Sequence, residues 1–233
     1  MQRNMLRRAL TSALVTGLTS GLAACGGGGE SSSNTPPPTM ASMSITMSDA
    51  SADDWACVGV RVLSIALVPA GGGNPVTVWN APTPAPYINL EQLDQLGEIL
   101  GNVSVPAGTY SGAVLTIAAN PGDVLLMVAA DPQSGFPLPG GTSVPADAIQ
   151  IQGAQGSAGA LTVAVNVKFD SALTVSTSTS NALDLEFDLA HPAFIVGHTP
   201  PAAAGATLWA VNFNGPVRRL AVPDITRLVL RHT

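Results

Sequence analysis

From Leu161 to Leu189 the chain alternates with little interruption. Leu161, Val163, Val165, Val167 and Phe169 oppose Thr162, Asn166, Lys168 and Asp170, and Leu173 and Val175 oppose Thr174 and Ser176. Leu183, Leu185, Phe187 and Leu189 then oppose Asp184, Glu186 and Asp188. Successive side chains leave a strand on opposite faces, so a period of two sends one whole set to a core. A helix cannot segregate residues spaced that way, and the pattern commits this stretch to β structure. The same rhythm opens the folded region, where Met43, Ile45 and Met47 alternate with Ser42, Ser44, Thr46 and Ser48. Val58, Val60 and Val62 alternate next, but apolar parity then passes to Leu63, Ile65 and Leu67. A β-bulge, or a strand crossing between two sheets, accounts for that slip near Val62.

Turn chemistry punctuates the rest. Gly71-Gly72-Gly73-Asn74-Pro75, a loop with Pro82, Pro84 and Pro86, Pro106-Ala107-Gly108-Thr109 and Asn120-Pro121-Gly122-Asp123 separate short apolar runs. Strands are expected at 76–79, 112–118, 124–129, 194–196, 208–213, 217–222 and 225–230, with loops over 131–143 and 153–159. One segment departs from the β pattern. Leu90, Leu93, Leu96, Ile99 and Leu100 recur at helical spacing among acidic and amide residues, with Gly101-Asn102 as a stop signal, which predicts a short helix. The expected fold is mainly β: an antiparallel β-sandwich with one short helix near residues 90–100.

The N-terminus carries a different message. Arg3, Arg7 and Arg8 precede an apolar run from Ala9 to Leu22, and small residues follow, which is the layout of a secretory signal peptide. Leu22-Ala23-Ala24-Cys25 resembles the lipobox of bacterial lipoproteins. That resemblance implies cleavage between Ala24 and Cys25 and a lipidated Cys25 as first residue of the mature chain. Gly26, in place of Asp, resembles lipoproteins sent to the outer membrane. Residues 26–39 are Gly, Ser, Thr, Asn and Pro around a single Glu30, a composition that cannot bury a core. Such a tether spans about 50 Å fully extended and averages about 20 Å. The expected organisation is a signal peptide over 1–24, a disordered tether over 25–39 and a β-sandwich domain over 40–233. The strand-like ending Leu228–Thr233 leaves open whether the chain stops in its last strand or continues in a longer protein.

Charge narrows the partners. Three of nine Lys and Arg precede Cys25, so six basic residues face fifteen acidic ones beyond it, a net charge near −9. Apart from Arg218-Arg219 nothing clusters positive charge, which argues against nucleic acid. The expected attachment is to a membrane through the lipid, with an envelope protein or a glycan as partner. With Cys25 acylated, Cys57 has no disulfide partner and is expected to be a buried, inert thiol.

The strand ending Met47-Ser48-Asp49-Ala50, the valine-rich strand after it and the Leu90 segment form a recognisable order. Val105-Pro106-Ala107-Gly108-Thr109-Tyr110 and Asp184-Leu185-Glu186-Phe187-Asp188 complete it. Together, over about Met43 to Val196, they resemble a family of bacterial lipoproteins that carry domain of unknown function 4382. Ser51 stands where the family usually has Pro, and Glu186 where it often has Asp. The resemblance implies a surface lipoprotein with a β fold and assigns no catalytic residues.

Catalytic motifs are not evident. His191, His198 and His232 are too dispersed for a zinc signature, and Ser157 lacks the strand–turn–helix setting of a nucleophile elbow. No cofactor, metal or enzymatic activity is expected. Asp49, Asp53 and Asp54 crowd one turn, and Asp184, Glu186 and Asp188 share one strand face; both are expected to be acidic surface rather than calcium ligands, the second facing solvent or basic partners. Lys168 is the expected counter-charge of the second group. Trp209 shares parity with Val211 and Phe213 and belongs to the core, whereas Trp55, Trp79, Tyr87 and Tyr110 lie near turns and are candidate sugar platforms. The expected role is a binding or scaffold module of the cell envelope. The alternative is a carbohydrate-binding or glycan-acting protein, the latter needing two carboxylates about 5–10 Å apart across a cleft.

Overall fold

Alternation becomes strand nearly everywhere it occurs. The computed structural model describes residues 37–233 apart from 51, 94–95, 202–204, 221–228 and 232–233. Its strands run β1 (Met40–Ala50), β2 (Trp55–Val60), β3 (Val62–Pro69), β4 (Val76–Asn80), β5 (Ile88–Asn89), β6 (Leu96–Pro106) and β7 (Gly108–Ala118). They continue with β8 (Leu125–Val128), β9 (Ile149–Ile151), β10 (Thr162–Val175), β11 (Asn181–Asp188), β12 (Ile195–His198), β13 (Leu208–Val211), β14 (Val217–Arg219) and β15 (Val229–Arg231). A five-stranded sheet in the order β14-β11-β1-β6-β15 and a four-stranded sheet β10-β7-β3-β4 supply the two principal layers. Two three-stranded sheets, β12-β13-β9 and β5-β2-β8, complete the mainly β sandwich.

Most neighbours are antiparallel, but β1–β11, β9–β13 and β6–β15 pair in parallel. Parallel pairing needs a long crossover, and here the chain between β1 and β11 passes through the entire second layer before returning. In register, Ile45 lies beside Leu183, Met47 beside Leu185 and Asp49 beside Phe187. Their apolar face joins Ile65 and Leu67 of β3, Leu115 and Ile117 of β7, and Val163, Val165 and Val167 of β10 in one continuous core. Each fully buried aliphatic or aromatic side chain contributes about 1.5–3 kcal/mol relative to exposure.

The parity slip near Val62 has both of the anticipated causes. β2 and β3 belong to different sheets, with Arg61 at the crossing, and the β3–β7 register shifts between Val62 and Ser64. Val58, Val60, Val62, Ile65 and Leu67 all reach the core as a result.

The expected helix is a correction. Among the described residues of this segment, Leu90–Gln92 form a helical turn of the 3-10 type, and Leu96–Pro106 is β6. Leu90 and Leu93 are buried as the helical pattern required. Beyond them Gly97, Ile99, Gly101 and Val103 are poor helix residues, and β1 would otherwise keep an unpaired edge. The β1–β6 register shifts where Ile45 faces Gly101 and Thr46 faces Ile99, leaving Leu100 without a counterpart. Gly101 sits at φ 138°, a conformation that suits glycine at such a bulge.

Candidate functional site

Cys25, expected to be lipidated, and the expected cleavage pair Ala24–Cys25 lie outside the described residues, as do the expected signal peptide and the expected tether up to residue 36. His232 lies outside them too. Among the described residues no helix is long and apolar enough to cross a membrane.

The acidic row on β11 does not face solvent. Leu183, Leu185 and Phe187 point into the core as period two requires, but the opposite face is covered as well: Asp184 and Glu186 are each 1% exposed, and Asp188 is half-buried. Ser48 of β1 donates its hydroxyl to Asp184 Oδ1 at 2.9 Å. Arg218 of β14 donates its Nε to Glu186 Oε1 at 2.7 Å and its Nη2 to the same oxygen. The counter-charge is therefore Arg218, which stands opposite Glu186 in the β11–β14 ladder, and not Lys168. Lys168 is exposed on β10, in the other sheet.

The second acidic group disperses. Asp49 is buried beside Phe187, Asp53 is exposed, and Asp54 Oδ1 accepts the backbone N–H of Gln133 at 2.8 Å. Among the described residues no three His, Cys, Asp or Glu converge as metal ligands. His198 is exposed, and half-buried His191 accepts the Ala193 N–H at Nδ1. Ser157 is exposed in its loop.

Cys57 is half-buried rather than fully buried, because its strand β2 pairs with β8 in one of the small sheets. Burial pushes the thiol pKa up, a hydrogen bond from the Gly59 backbone lowers it in part, and the Glu91 charge raises it again. A thiol so placed is a poor nucleophile at neutral pH.

The aromatic candidates separate sharply. Tyr110 is buried, its hydroxyl donating to Pro106 O at 2.7 Å, and the same burial raises its pKa. Trp55 is buried against Phe136 and Trp209, with ring centroids 5.5 and 5.0 Å away, and Trp209 is core as its parity required. Trp79 and Tyr87 remain. They line one cleft of about 400 Å³ together with Val62, Pro82, Pro86, Ile88, Ile99 and Leu100. Among the described residues its lining also includes the polar side chains Asn89, Gln92 and Glu98.

The cleft opens where the edge of the four-stranded sheet approaches β6. Trp79 Nε1 spans the gap and donates to Leu100 O at 3.2 Å, the carbonyl of the bulge residue. The opposite wall is the proline loop, and Arg61 holds it. Its guanidinium donates to Ala85 O, lies 3.8 Å from the Tyr87 ring centroid and faces Asp123 at 3.7 Å. Tyr87 in turn donates its hydroxyl to Gly122 O. Three prolines restrict φ in the same loop, so the wall is set before any ligand arrives. Sequence reasoning missed Arg61 and misassigned Ile99 and Leu100. The available signal was a lone arginine inside a valine-rich run, at the position where parity slips.

These features define a mainly β sandwich with a pre-formed, mostly apolar cleft at one seam between its layers. The chain belongs to the family described as domain of unknown function (DUF4382), whose model matches residues 40–197. No curated protein and no solved structure matches it.

Proposed function

We propose that this protein is a lipid-anchored lipoprotein of the bacterial outer membrane whose sandwich is a non-enzymatic binding or scaffold module, with the cleft beside Trp79 as its binding site. The observation that carries the anchor is Leu22-Ala23-Ala24-Cys25, preceded by Arg3, Arg7, Arg8 and an apolar run and followed by a Gly/Ser/Pro segment. Several acyl chains would make attachment stable, since a single one holds only reversibly. The cleft supports a binding role by its shape: it is concave, lined mainly by apolar groups and walled by a pinned loop.

The test is Cys25→Ser in the producing cell. Loss of processing and of membrane sedimentation is the expected result, and mature protein that still sediments with membranes would overturn the anchor. A glycan-binding role is the second reading. It is favoured by two aromatic side chains sharing a cleft with Asn89 and Gln92, and a glycan-array screen of the intact protein addresses it.

A further inference from the structure

Hydrogen-bond accounting at the cleft narrows the chemistry of what it takes. A saccharide is held by side-chain donors and acceptors around an aromatic face, because each hydroxyl that loses water needs a replacement partner. Here three of those polar groups are engaged within the protein. The indole N–H of Trp79 serves Leu100 O, the Tyr87 hydroxyl serves Gly122 O, and Asn89 Oδ1 accepts the Val58 N–H at 3.0 Å. Both aromatic residues therefore keep their polar ends on the protein. The side chains of Val62, Pro82, Pro86, Ile88, Ile99 and Leu100 are hydrocarbon.

Charge narrows it further. Among the described residues no Lys or Arg lines the cleft, and its ionisable lining residues are Glu98 and Tyr87, so an anion entering would give up water for no cationic partner among them. The volume sets the scale: a cavity of about 150 Å³ takes benzene, so about 400 Å³ accommodates two to three rings of that size.

We infer that the cleft binds an uncharged, mostly apolar small molecule of two to three rings' volume. This rests on the binding role proposed for the same cleft and is independent of the lipid anchor. The prolines, Tyr87 and Arg61 preorganise one wall, so little ordering is required of the protein when the ligand binds.

Benzophenone, uncharged and two-ringed, is a suitable probe, because on irradiation it inserts into nearby C–H bonds and marks where it sat. The intact lipoprotein is irradiated with it in detergent, and adducts are mapped by peptide mass spectrometry. Adducts concentrated on peptides spanning residues 79–100, and suppressed at least tenfold by excess naphthalene, are the expected result. Ile99→Trp, which fills the cleft, should reduce them at least tenfold. Tyr87→Ala, at a residue 40% exposed, should reduce them several-fold and guards against a folding defect in the first variant. Leu125→Ser, at an exposed apolar residue outside the cleft, should leave them unchanged.

Labelling spread equally over Leu125, Met127 and Val196, or indifferent to Ile99→Trp in folded protein, would overturn the inference. Protection of the cleft by malto-oligosaccharide but not by naphthalene would leave the binding role standing and sink the apolar ligand class. Absence of cleft adducts, with no effect of either competitor, would remove the binding role as well.

Discussion

Arg218→Ala tests how the covered polar face of the five-stranded sheet is held together. The Glu186 carboxylate is 1% exposed and accepts two N–H groups of Arg218, whose own side chain stays 56% exposed. Truncation removes both donors and leaves the carboxylate where it is. Breaking a buried pair from one side costs about 3–5 kcal/mol, because a charge stays in poorly solvated surroundings. The exposed guanidinium end discounts this, since water entering the vacated space hydrates part of the carboxylate, and about 2–3 kcal/mol is expected. Glu186→Gln is milder. It keeps the shape and an acceptor oxygen, exchanging an ion pair for a hydrogen bond from the Arg218 guanidinium to a neutral amide at a cost of about 1 kcal/mol.

Urea unfolding followed by tryptophan fluorescence measures both variants. At about 2–4 °C per kcal/mol for a chain of this size, Arg218→Ala should melt about 4–12 °C below the parent. The order of the two variants matters as much as the size. Arg218→Ala within about 0.5 kcal/mol of the parent, the range of an ordinary surface change, would show that Glu186 does not depend on the guanidinium. Glu186→Gln costing more than Arg218→Ala would refute the reasoning equally.

Three further outcomes follow from the geometry. Phe187→Ala should cost about 3–5 kcal/mol in the same unfolding assay, since Phe187 is fully buried and meets Phe213 edge-on at 6.4 Å. Gly112→Ala should cost about 1–3 kcal/mol, because its Cβ would stand 2.6 Å from the Val167 backbone carbonyl of β10; Gly71→Ala, with open space around it, should stay within about 0.5 kcal/mol. Cys57 in native protein should react with iodoacetamide more slowly than after denaturation at neutral pH. Its raised pKa means a smaller thiolate fraction, so the native rate should keep climbing with pH beyond where the denatured rate levels; equal rates at neutral pH would count against the burial.

What was legible in the chain was whatever a local period encodes. Alternation placed Leu183, Leu185 and Phe187 on the core face, and the slip at Val62 marked a real crossing between sheets. The sense of the other face was hidden. Period two says that Asp184 and Glu186 oppose the core, but not that this face is covered too, and their hydrogen-bonding partners are Ser48, 136 residues away, and Arg218, 32 residues away. The Leu90 segment failed for a related reason. Its leucine spacing suits a helix, yet β1 offers a full antiparallel edge along Met40–Met47, and that pairing outweighs local preference where Gly97, Ile99 and Gly101 weaken it. The aromatic residues were recognisable as candidates but not separable, because which turn lies over which seam is decided by topology.

The two seams of the sandwich show how the cleft comes to exist. At one, β10 carries an irregularity between Lys168 and Leu173, and the carbonyl of Ser171 within it accepts Arg219 Nη1 from β14 at 2.7 Å. Arg219 also lies 5.1 Å from the Phe169 ring centroid, and its burial there lowers its pKa. At the other, the bulge at Leu100 presents a carbonyl to Trp79 Nε1 from β4. Each seam thus uses a carbonyl at an irregularity in one strand and a side-chain donor from the facing layer. The donors differ in consequence. Arginine reaches across with a long flexible chain and covers Phe169 with its guanidinium. Tryptophan spans the gap with a rigid bicycle that remains half-buried, and the proline loop held by Arg61 walls the space beside it. The seam bridged by tryptophan is the one beside which the cleft of about 400 Å³ lies.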